Sequence, residues 1–328
     1  MLGKGSSLDI DVFDLKPDKA DFKSDVLSGL SAKPKRLQPM YFYDERGSEL
    51  FYKICETEDY YATRCDLDIL ERQSSAICAH IPVGSSLIEL GGGGSRKVLH
   101  LLDTGKFSDY VPVDISKEIL ISVAQEISKE YKDLRISAVA ANYMDDGLEI
   151  DFFHRFNSRV VFFPGSTMGN LTPLEQRKLM SRIRSILGKE GGYFLVGVDL
   201  EKDLKVLEAA YNDREGITAD FNSNILSRVN RELGANFDNE RFKHKAFYNI
   251  ELQRIEMHLE SIEHQTVSAC GRDFHFSEGE TIHTENSHKF NIGSFKVVAE
   301  DLGYKYLSHW TDDKEYFAEV LLEVPPTN

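Results

Sequence analysis

The chain has 328 residues, of which 41% are hydrophobic and 11% aromatic, and this length allows one large domain or two intertwined ones. Its formal net charge of −15 argues against nucleic acid as a partner, because nucleic-acid-binding proteins present basic surfaces. No apolar run approaches the ~20 residues of a membrane span, and the polar residues 1–19 lack a signal-peptide core, so we expect no membrane partner and a cytoplasmic location.

Cysteine and histidine spacing gives no sign of a metal centre. The cysteines form no CxxC pair, and the ten histidines form no HExxH motif. We therefore expect inert thiols in a reducing compartment and no bound metal. The four cysteines are Cys55, Cys65, Cys78 and Cys270.

The first predicted elements are helices, and strands follow. Residues 36–80 read as mostly helical, with one helix opening at 48–51 and another over 66–77. From Ser86 onward, short apolar runs alternate with helical patterns. Strands are expected at 87–90, 109–114, 135–141, 159–163 and 192–199, and helices at 97–102, 117–131 and 174–187. This alternation predicts βαβ units and therefore a mostly parallel sheet in an α/β fold.

The alternation breaks after residue 200 and returns near the end of the chain. Helical segments and one strand-like stretch are expected at 204–210, 217–233 and 253–260. A further helix and two strands joined by a turn are expected at 294–302, 304–310 and 316–324. We therefore predict a Rossmann-like domain from residues 81–200 and 284–328. Residues 1–80 and the insertion 201–283 would build a second lobe.

The segment 162–171 carries the strongest sign of a ligand site. An apolar strand ends at Pro164, and small polar residues then lead into a helix. In an open α/β sheet, ligands bind where the carboxyl ends of strands meet loops. The residues that could approach or bond a ligand there are Gly165, Ser166, Thr167, Gly169 and Asn170. Alternatively, these small residues only turn the chain between strand and helix.

A glycine-rich turn predicts a nucleotide-type site. Residues 91–95 read Gly-Gly-Gly-Gly-Ser, and Asp114 ends the next strand, where a carboxylate can accept from both ribose hydroxyls. Dinucleotide enzymes and S-adenosylmethionine methyltransferases share this spacing. Arg96 replaces the third glycine of GxGxxG, and the antiparallel final strand pair is also typical of methyltransferases. Alternatively, the glycines only close the sheet.

Several short strings resemble one family. From about Lys35 to Val324, the chain resembles the histidine-specific, S-adenosylmethionine-dependent Nα-methyltransferases of ergothioneine biosynthesis. A sister group with similar strings methylates a prenylated tryptophan. The strings are 42–44, 47–51, 60–64, 165–170, 210–213, 216–222, 254–257 and 284–290.

The resemblance implies a class I methyltransferase sheet with a second, substrate-binding lobe, and a role for each matching residue. The substrate carboxylate would be held by Asn170 and Tyr211, and the imidazole by Glu285 and Ser287 with Tyr60 nearby. The amine would be surrounded by Tyr43, Thr218 and Gly165, with Thr167 on the same loop, and Phe51 and Met257 would line the pocket. S-adenosylmethionine, with S-adenosylhomocysteine as its product, would be held by Gly91, Lys97, Asp114, Asn142 and Tyr143.

The residue types suit histidine better than tryptophan. A carboxylate such as Glu285 accepts from an imidazole N–H, and Ser287 can donate to or accept from either ring nitrogen. An indole has one N–H and more bulk, so Glu285 and Met257 favour histidine. Alternatively, 285–287 is a solvated turn before a strand.

The implied reaction is methyl transfer to the α-amino nitrogen of L-histidine, in three rounds, giving the trimethylated betaine hercynine. The amine must be neutral to attack, and Tyr43, or a water held by Thr218, could accept its proton. We expect a monomer with a small-molecule substrate. The alternatives are transfer to another amino acid or to a histidine-derived thiol, a binding protein without turnover, and an NAD oxidoreductase.

Overall fold

The computed structural model describes residues 10–15, 21–92, 94, 96–145 and 148–327. Gly93 and Ser95 of the glycine-rich turn, and most of the polar segment 1–19, lie outside the described residues. In the described part, no helix is both long enough and apolar enough to cross a membrane. All four cysteines are free thiols.

The strands and helices of the described part follow in chain order. The strands are β1 (Asp11–Asp14), β2 (Lys35–Arg36), β3 (Ser85–Leu90), β4 (Phe107–Asp114), β5 (Arg135–Ala140), β6 (Arg159–Phe163), β7 (Gly192–Asp199), β8 (Phe242–Asn249), β9 (Arg254–Ser261), β10 (Gln265–Ala269), β11 (Arg272–Phe276), β12 (Thr281–His288), β13 (Lys305–Thr311) and β14 (Phe317–Val324). The helices are α1 (Phe22–Ser31), α2 (Glu45–Glu56), α3 (Ala62–Cys78), α4 (Val98–Leu102), α5 (Lys117–Glu130), α6 (Pro173–Leu187), α7 (Leu204–Tyr211), α8 (Ile217–Leu233) and α9 (Ile292–Asp301).

An eight-stranded sheet forms the larger part of the molecule. Its strand order is β1-β5-β4-β3-β6-β7-β14-β13, and β14 runs antiparallel to both of its neighbours while the other pairs are parallel. Every residue of β3 and β6 is buried, as expected for central parallel strands covered by helices on both faces. The predicted α/β, Rossmann-like sheet with an antiparallel last strand is confirmed.

A second lobe packs around a separate sheet with the order β2-β12-β9-β8 and a hairpin of β10 and β11. Helices α1 and α8 pack on this sheet and α2 packs on α8, around an apolar core that includes Phe42, Phe221 and Ile255. The sequence predicts only the stretch 253–260 of this sheet. The other strands carry many polar residues, and β12 reads Thr-Ile-His-Thr-Glu-Asn-Ser-His, so no apolar pattern marks them.

The strand pairing does not follow the predicted domain boundaries at two points. Strand β1 lies within residues 1–80 but pairs in parallel with β5 at the edge of the main sheet. Strand β12 crosses residue 284 but pairs with β9 and β2 in the small sheet. The division into domains stays a prediction, and these two strands would shift its limits.

Candidate active site

A pocket lies in the second lobe, where α2, α7 and α8 meet β9 and β12. Seven of its ten lining residues are among the predicted site residues, and the sequence does not single out Ile54, Ala210 or Phe221. The full lining is Tyr43, Phe51, Ile54, Tyr60, Ala210, Tyr211, Thr218, Phe221, Met257 and Glu285.

Glu285 gives the pocket its one buried acidic group among these lining residues. It follows a β-bulge in β12, and such bulges re-aim side chains. Its Oε2 atom is buried and has no hydrogen-bond partner within the described residues. Burial raises the pKa of the Glu285 carboxyl to about 7, while the ammonium group of Lys289 opposes the rise. A buried carboxylate oxygen without a partner is a ready acceptor for a ligand N–H.

Aromatic rings surround this carboxylate. The ring centroids of Tyr43 and Phe51 are 5.7 Å apart, and those of Tyr60 and Tyr211 are 6.2 Å apart. Loss of solvent around the hydroxyl groups raises the pKa of Tyr43, Tyr60 and Tyr211, and Glu285 adds to the rise. The three tyrosines therefore stay neutral at neutral pH and can donate or accept. Tyr43 as a whole residue is 45% exposed, so it stands at the mouth of the pocket.

Ser287 and Tyr211 belong to a buried network that joins the pocket to the main sheet. The Tyr211 hydroxyl donates to Ser287 Oγ at 2.7 Å. The Lys289 ammonium donates to Ser287 Oγ at 2.8 Å, to Tyr211 Oη at 3.2 Å and to Asp199 Oδ2 at 2.7 Å. Although burial alone would raise it, Lys289 and Lys202 hold the pKa of Asp199 below its usual value. Asp199 ends β7, so this network fixes β12 against the main sheet.

The loop after β6 has a backbone conformation that favours glycine. Gly165 has φ +78° and Ser166 has φ +57°, both in the left-handed region. The Gly165 N–H donates to the Asp66 carboxylate at 3.0 Å. Asp66 is a fully buried residue of α3, so a residue from the first part of the chain holds the loop in place.

A short 3-10 helix (Thr167–Asn170) continues this loop towards the second lobe. A Cβ atom at Gly169 would lie 2.9 Å from the carbonyl oxygen of His288, so glycine allows this close packing on β12. The loop therefore carries Thr167 and Asn170 to the seam between the two lobes, next to the polar network.

The predicted cofactor residues gather at the carboxyl ends of the main parallel strands. Gly91 has φ +80°, and a Cβ atom at Gly92 would lie 2.8 Å from the Pro112 side chain. Asp114 ends β4 half-buried, and its Oδ1 accepts from the Ser116 N–H at 2.8 Å. These residues place backbone groups and one carboxylate at the crevice edge, meaning the edge of the main sheet where its parallel strands end.

Glu89 adds a second carboxylate at the end of β3. It is fully buried, and the Tyr110 hydroxyl donates to its Oε2 at 2.5 Å. Its Oε1 has no hydrogen-bond partner among the residues that the structure describes. Burial raises the pKa of the Glu89 carboxyl to about 7. The sequence analysis gives no role to Glu89, although only Leu90 separates it from the glycine-rich turn.

Asn142 and Tyr143 follow β5. The Asn142 Oδ1 accepts from the Met144 N–H at 2.9 Å, and the Tyr143 ring packs edge-on against Phe163 with 5.6 Å between centroids. Burial raises the pKa of Tyr143 to about 12, with a contribution from Asp114. The two residues thus lie on the same edge as Asp114, as the sequence predicts.

Lys97 joins the two halves of this edge. Its ammonium group lies 2.7 Å from the Asp66 carboxylate, and a Cβ atom at Gly165 would lie 3.2 Å from it. Burial alone would lower the pKa of Lys97, but Asp66 raises it above its usual value. Lys97 therefore stays charged between the glycine-rich turn and the Gly165 loop.

Among the described residues, one cluster has side chains of the type that bind metal ions. Potential ligand atoms of Glu256, His258 and His283 lie within 4.8 Å of one another on the small sheet. His258 Nε2 already lies 3.0 Å from Glu256 Oε2, and the two imidazole rings stack at 4.7 Å between centroids. Hydrogen bonding and stacking account for this cluster, and the expectation of no metal stays a prediction.

Comparison with known proteins identifies the family. The pattern of a family described as "Histidine-specific methyltransferase, SAM-dependent" matches residues 22–324. The chain is 38% identical over 296 residues to a histidine N-alpha-methyltransferase of Mycolicibacterium smegmatis, covering 88% of this chain and 91% of the relative. The chain belongs to this histidine-specific methyltransferase family.

Two further relatives agree. A histidine N-alpha-methyltransferase of Mycobacterium tuberculosis is 37% identical, with 89% of this chain and 91% of the relative covered. An ergothioneine biosynthesis protein 1 of Neurospora crassa is 27% identical, and the match covers 92% of this chain but 35% of that longer protein. The resemblance given by the sequence strings is therefore confirmed.

The crevice edge suits the S-adenosylmethionine of this methyltransferase family. Gly91 and Gly92 bring bare backbone to the carboxyl end of β3. The partnerless Glu89 Oε1 and the half-buried Asp114 offer acceptors, which match the ammonium and hydroxyl groups of such a ligand.

Of two buried residues that support the candidate site, Lys289 and Asp66, only Lys289 has a signal in the sequence. Glu285 and Ser287 lie on one face of β12 because side chains alternate in a strand, and Lys289 continues this spacing just beyond the strand end. That alternation could have pointed to Lys289. Asp66 has no such signal, because its contact with Gly165 spans 99 residues.

Proposed function

We propose that this protein transfers methyl groups from S-adenosylmethionine to the α-amino nitrogen of L-histidine. One observation carries the proposal: Glu285 Oε2 is buried without a described partner inside an aromatic pocket, on the same strand face as Ser287. An imidazole offers a matching N–H and a second nitrogen about 2 Å away, whereas an indole would leave Ser287 unpaired.

The other end of the substrate would face the main sheet. Asn170 on the 167–170 helix is the proposed hydrogen-bond donor to the carboxylate, and Tyr211 on α7 is proposed to lie beside it with its hydroxyl hydrogen directed at Ser287 Oγ. Tyr43, at the pocket mouth, and Thr218 would surround the amine together with the Gly165 backbone. Holding both ends fixes the direction of the nitrogen lone pair, and such alignment is the main contribution a protein can make to a direct displacement.

Gly91, Lys97, Asp114, Asn142 and Tyr143 are the proposed cofactor residues, with Glu89 beside them. When bound, S-adenosylmethionine supplies an electrophilic methyl group. The chain's own part is to position the amine, to exclude water with its aromatic rings, and to let the amine proton leave. The proposed route to solvent is a water held by Thr218, or the neutral Tyr43 hydroxyl, which would accept this proton as it releases its own.

Three rounds would give N,N,N-trimethylhistidine, known as hercynine, for ergothioneine biosynthesis. Each round adds bulk to the nitrogen, and the third round leaves it with a permanent positive charge. Phe51, Tyr43 and Tyr60 support this step, because aromatic faces attract cations. We further propose a monomer that acts in the cytoplasm on a small molecule, without a metal.

The proposal is tested by incubating the protein with S-adenosylmethionine and either histidine or tryptophan, followed by mass spectrometry. We expect histidine carrying three added methyl groups and unmodified tryptophan. Methylated tryptophan, or tight cofactor binding without methylation of histidine, would refute the proposal. Methylated tryptophan would favour a related amino-acid methyltransferase.

A further inference from the structure

The position of Lys289 limits what Ser287 can offer to a ligand. An ammonium group can only donate hydrogen bonds, and Lys289 directs three of them to Asp199, Ser287 and Tyr211. Lys289 directly follows β12, and its side chain is fully buried and paired with Asp199 at the end of β7. Ser287 Oγ thus accepts at 2.8 Å from a buried cation.

The Tyr211 hydroxyl occupies the second acceptor position of the same oxygen. It lies 2.7 Å from Ser287 Oγ and donates to it. A serine hydroxyl has two acceptor lone pairs and one hydrogen. Because Lys289 and Tyr211 fill both lone pairs, the Ser287 hydrogen is left as the group that can point to a ligand.

We infer that Lys289 is a positioning residue that makes Ser287 a hydrogen-bond donor, so that the pocket selects the neutral imidazole of histidine over the imidazolium. Glu285 would accept the single ring N–H, and Ser287 would donate to the ring nitrogen that carries a lone pair. An imidazolium has two N–H groups and no lone pair, so one N–H would face the Ser287 hydrogen and the Lys289 charge. This inference rests on the proposed function, since it assumes that histidine occupies the pocket.

The proton balance of the complex follows from this arrangement. Neutral histidine binds to ionised Glu285, and neither group exchanges a proton with the other. The complex therefore forms fully only above both the pKa of Glu285, about 7 in the free protein, and the pKa of free histidine, about 6.5. If the pocket instead read an imidazolium against a carboxylate, affinity would peak between these values and fall at higher pH.

The other titratable groups around the pocket do not change charge in the pH range over which the complex forms, with one exception. Burial raises the pKa of the tyrosines and of Cys55, and it lowers that of His283, while lysine neighbours lower that of Asp199 despite its burial. The exception is Lys202, whose pKa burial lowers to about 8. The groups concerned are Tyr43, Cys55, Tyr60, Asp199, Lys202, Tyr211 and His283.

The test is the pH dependence of histidine binding, measured by isothermal titration with S-adenosylhomocysteine present. For the unaltered protein, we expect the affinity to rise between about pH 5.5 and 7.5 and then to reach a plateau up to about pH 8. A maximum near pH 6.5 followed by a fall of about tenfold per pH unit would overturn the inference while leaving the proposed function intact. Absence of histidine binding at every pH would instead refute the proposed function.

Two lysine variants separate positioning from support of the fold. Lys289→Met frees a lone pair of Ser287 and removes the nearby charge. The affinity at pH 6.5 divided by the affinity at pH 8 should therefore increase by about tenfold. Lys202→Met is the matched control, because Lys202 also bonds to Asp199 but has no contact with Ser287 among the described residues. It should keep the profile of the unaltered protein.

Each variant result decides the role of Lys289. If Lys289→Met weakens binding equally at both pH values, the lysine only supports the fold and the inference is wrong. If Lys289→Met does not fold, the profile of the unaltered protein still decides whether the neutral imidazole is selected.

Discussion

Glu285 is the acidic residue of the pocket, and its burial costs stability in the ligand-free protein when the carboxyl is ionised. Its carboxyl is deprived of water, and Oε2 has no partner within the described chain. Its pKa is raised by burial to about 7, whereas an unfolded chain would have a value near 4.3. The folded state therefore holds a proton that the unfolded state releases, and the free protein loses stability as pH rises between these two values. A ligand N–H would offset that loss.

Glu285→Gln should therefore stabilise the free protein and impair its function. At pH 8 the unfolding free energy should rise on the order of 1 kcal/mol, reduced from the full pKa shift because the pocket opens to water. At pH 4.5 most of the gain should disappear, because the folded state then holds the proton and the unfolded state, with a pKa near 4.3, holds it about 40% of the time. Thermal melts at the two pH values measure this.

Activity gives the second half of the same prediction. Because the glutamine offers one weaker acceptor, kcat/KM for histidine should fall about 100-fold or more. A variant that is stabilised at pH 8 but keeps full activity would contradict the role proposed for Glu285. A variant that is inactive and equally stabilised at both pH values would contradict its raised pKa.

At the scale of elements, the loop between β6 and α6 has a left-handed backbone conformation and packs closely against charged side chains. Gly165 has φ +78° and lies beside Lys97 and Asp66. Gly271, in the turn between β10 and β11, also has φ +78°, but a Cβ atom there would meet nothing within 4 Å. The two glycines are therefore matched in backbone conformation and differ in surroundings.

Gly165→Ala and Gly271→Ala should each cost about 1–2 kcal/mol of stability, because alanine is strained in the left-handed region. Only Gly165→Ala should also lower methyl transfer to histidine, by about tenfold or more, since its Cβ displaces Lys97 or the loop. Chemical denaturation and initial rates measure the two effects. Equal loss of activity in both variants would show that the loop has no special role.

Elements were predictable where their own residues decide their structure. Strands β6 and β7 are continuous apolar runs, and α8 ends at Gly234 in a left-handed cap, so their bounds match the expected ranges. Strands β8 and β12 are polar and form only because neighbouring strands pair with them. Local sequence carries no record of such pairing.

The same distinction applies to the site. Tyr43, Tyr60, Tyr211 and Glu285 stand in strings that match the family, and the structure brings all four to one pocket. The contacts that fix the site are different in kind. Asp66 reaches the Gly165 loop across 99 positions, and such contacts follow from the tertiary fold.

At the scale of the whole molecule, one pocket is assembled from distant parts of the chain. Phe51 comes from α2, Thr218 from α8 and Glu285 from β12, while the cofactor residues lie on the main sheet. A ligand that contacts all of these parts stabilises the folded state by mass action, and its contribution grows with the ratio of its concentration to its Kd.

S-adenosylhomocysteine and histidine should each raise the Tm at pH 8 by several degrees when present at about 100 times their Kd. Glu285→Gln should lose the increment from histidine and keep the increment from S-adenosylhomocysteine, because the two ligands use different edges of the crevice. Differential scanning fluorimetry measures both. Loss of both increments would indicate a general structural defect in the variant.

The most direct test of the whole account is a crystal structure with S-adenosylhomocysteine and histidine bound. We predict the imidazole between Glu285 and Ser287, the carboxylate near Asn170, and the α-amino nitrogen directed at the cofactor sulfur. An α-amino nitrogen that points away from that sulfur, or an imidazole without contact to Glu285, would contradict the account.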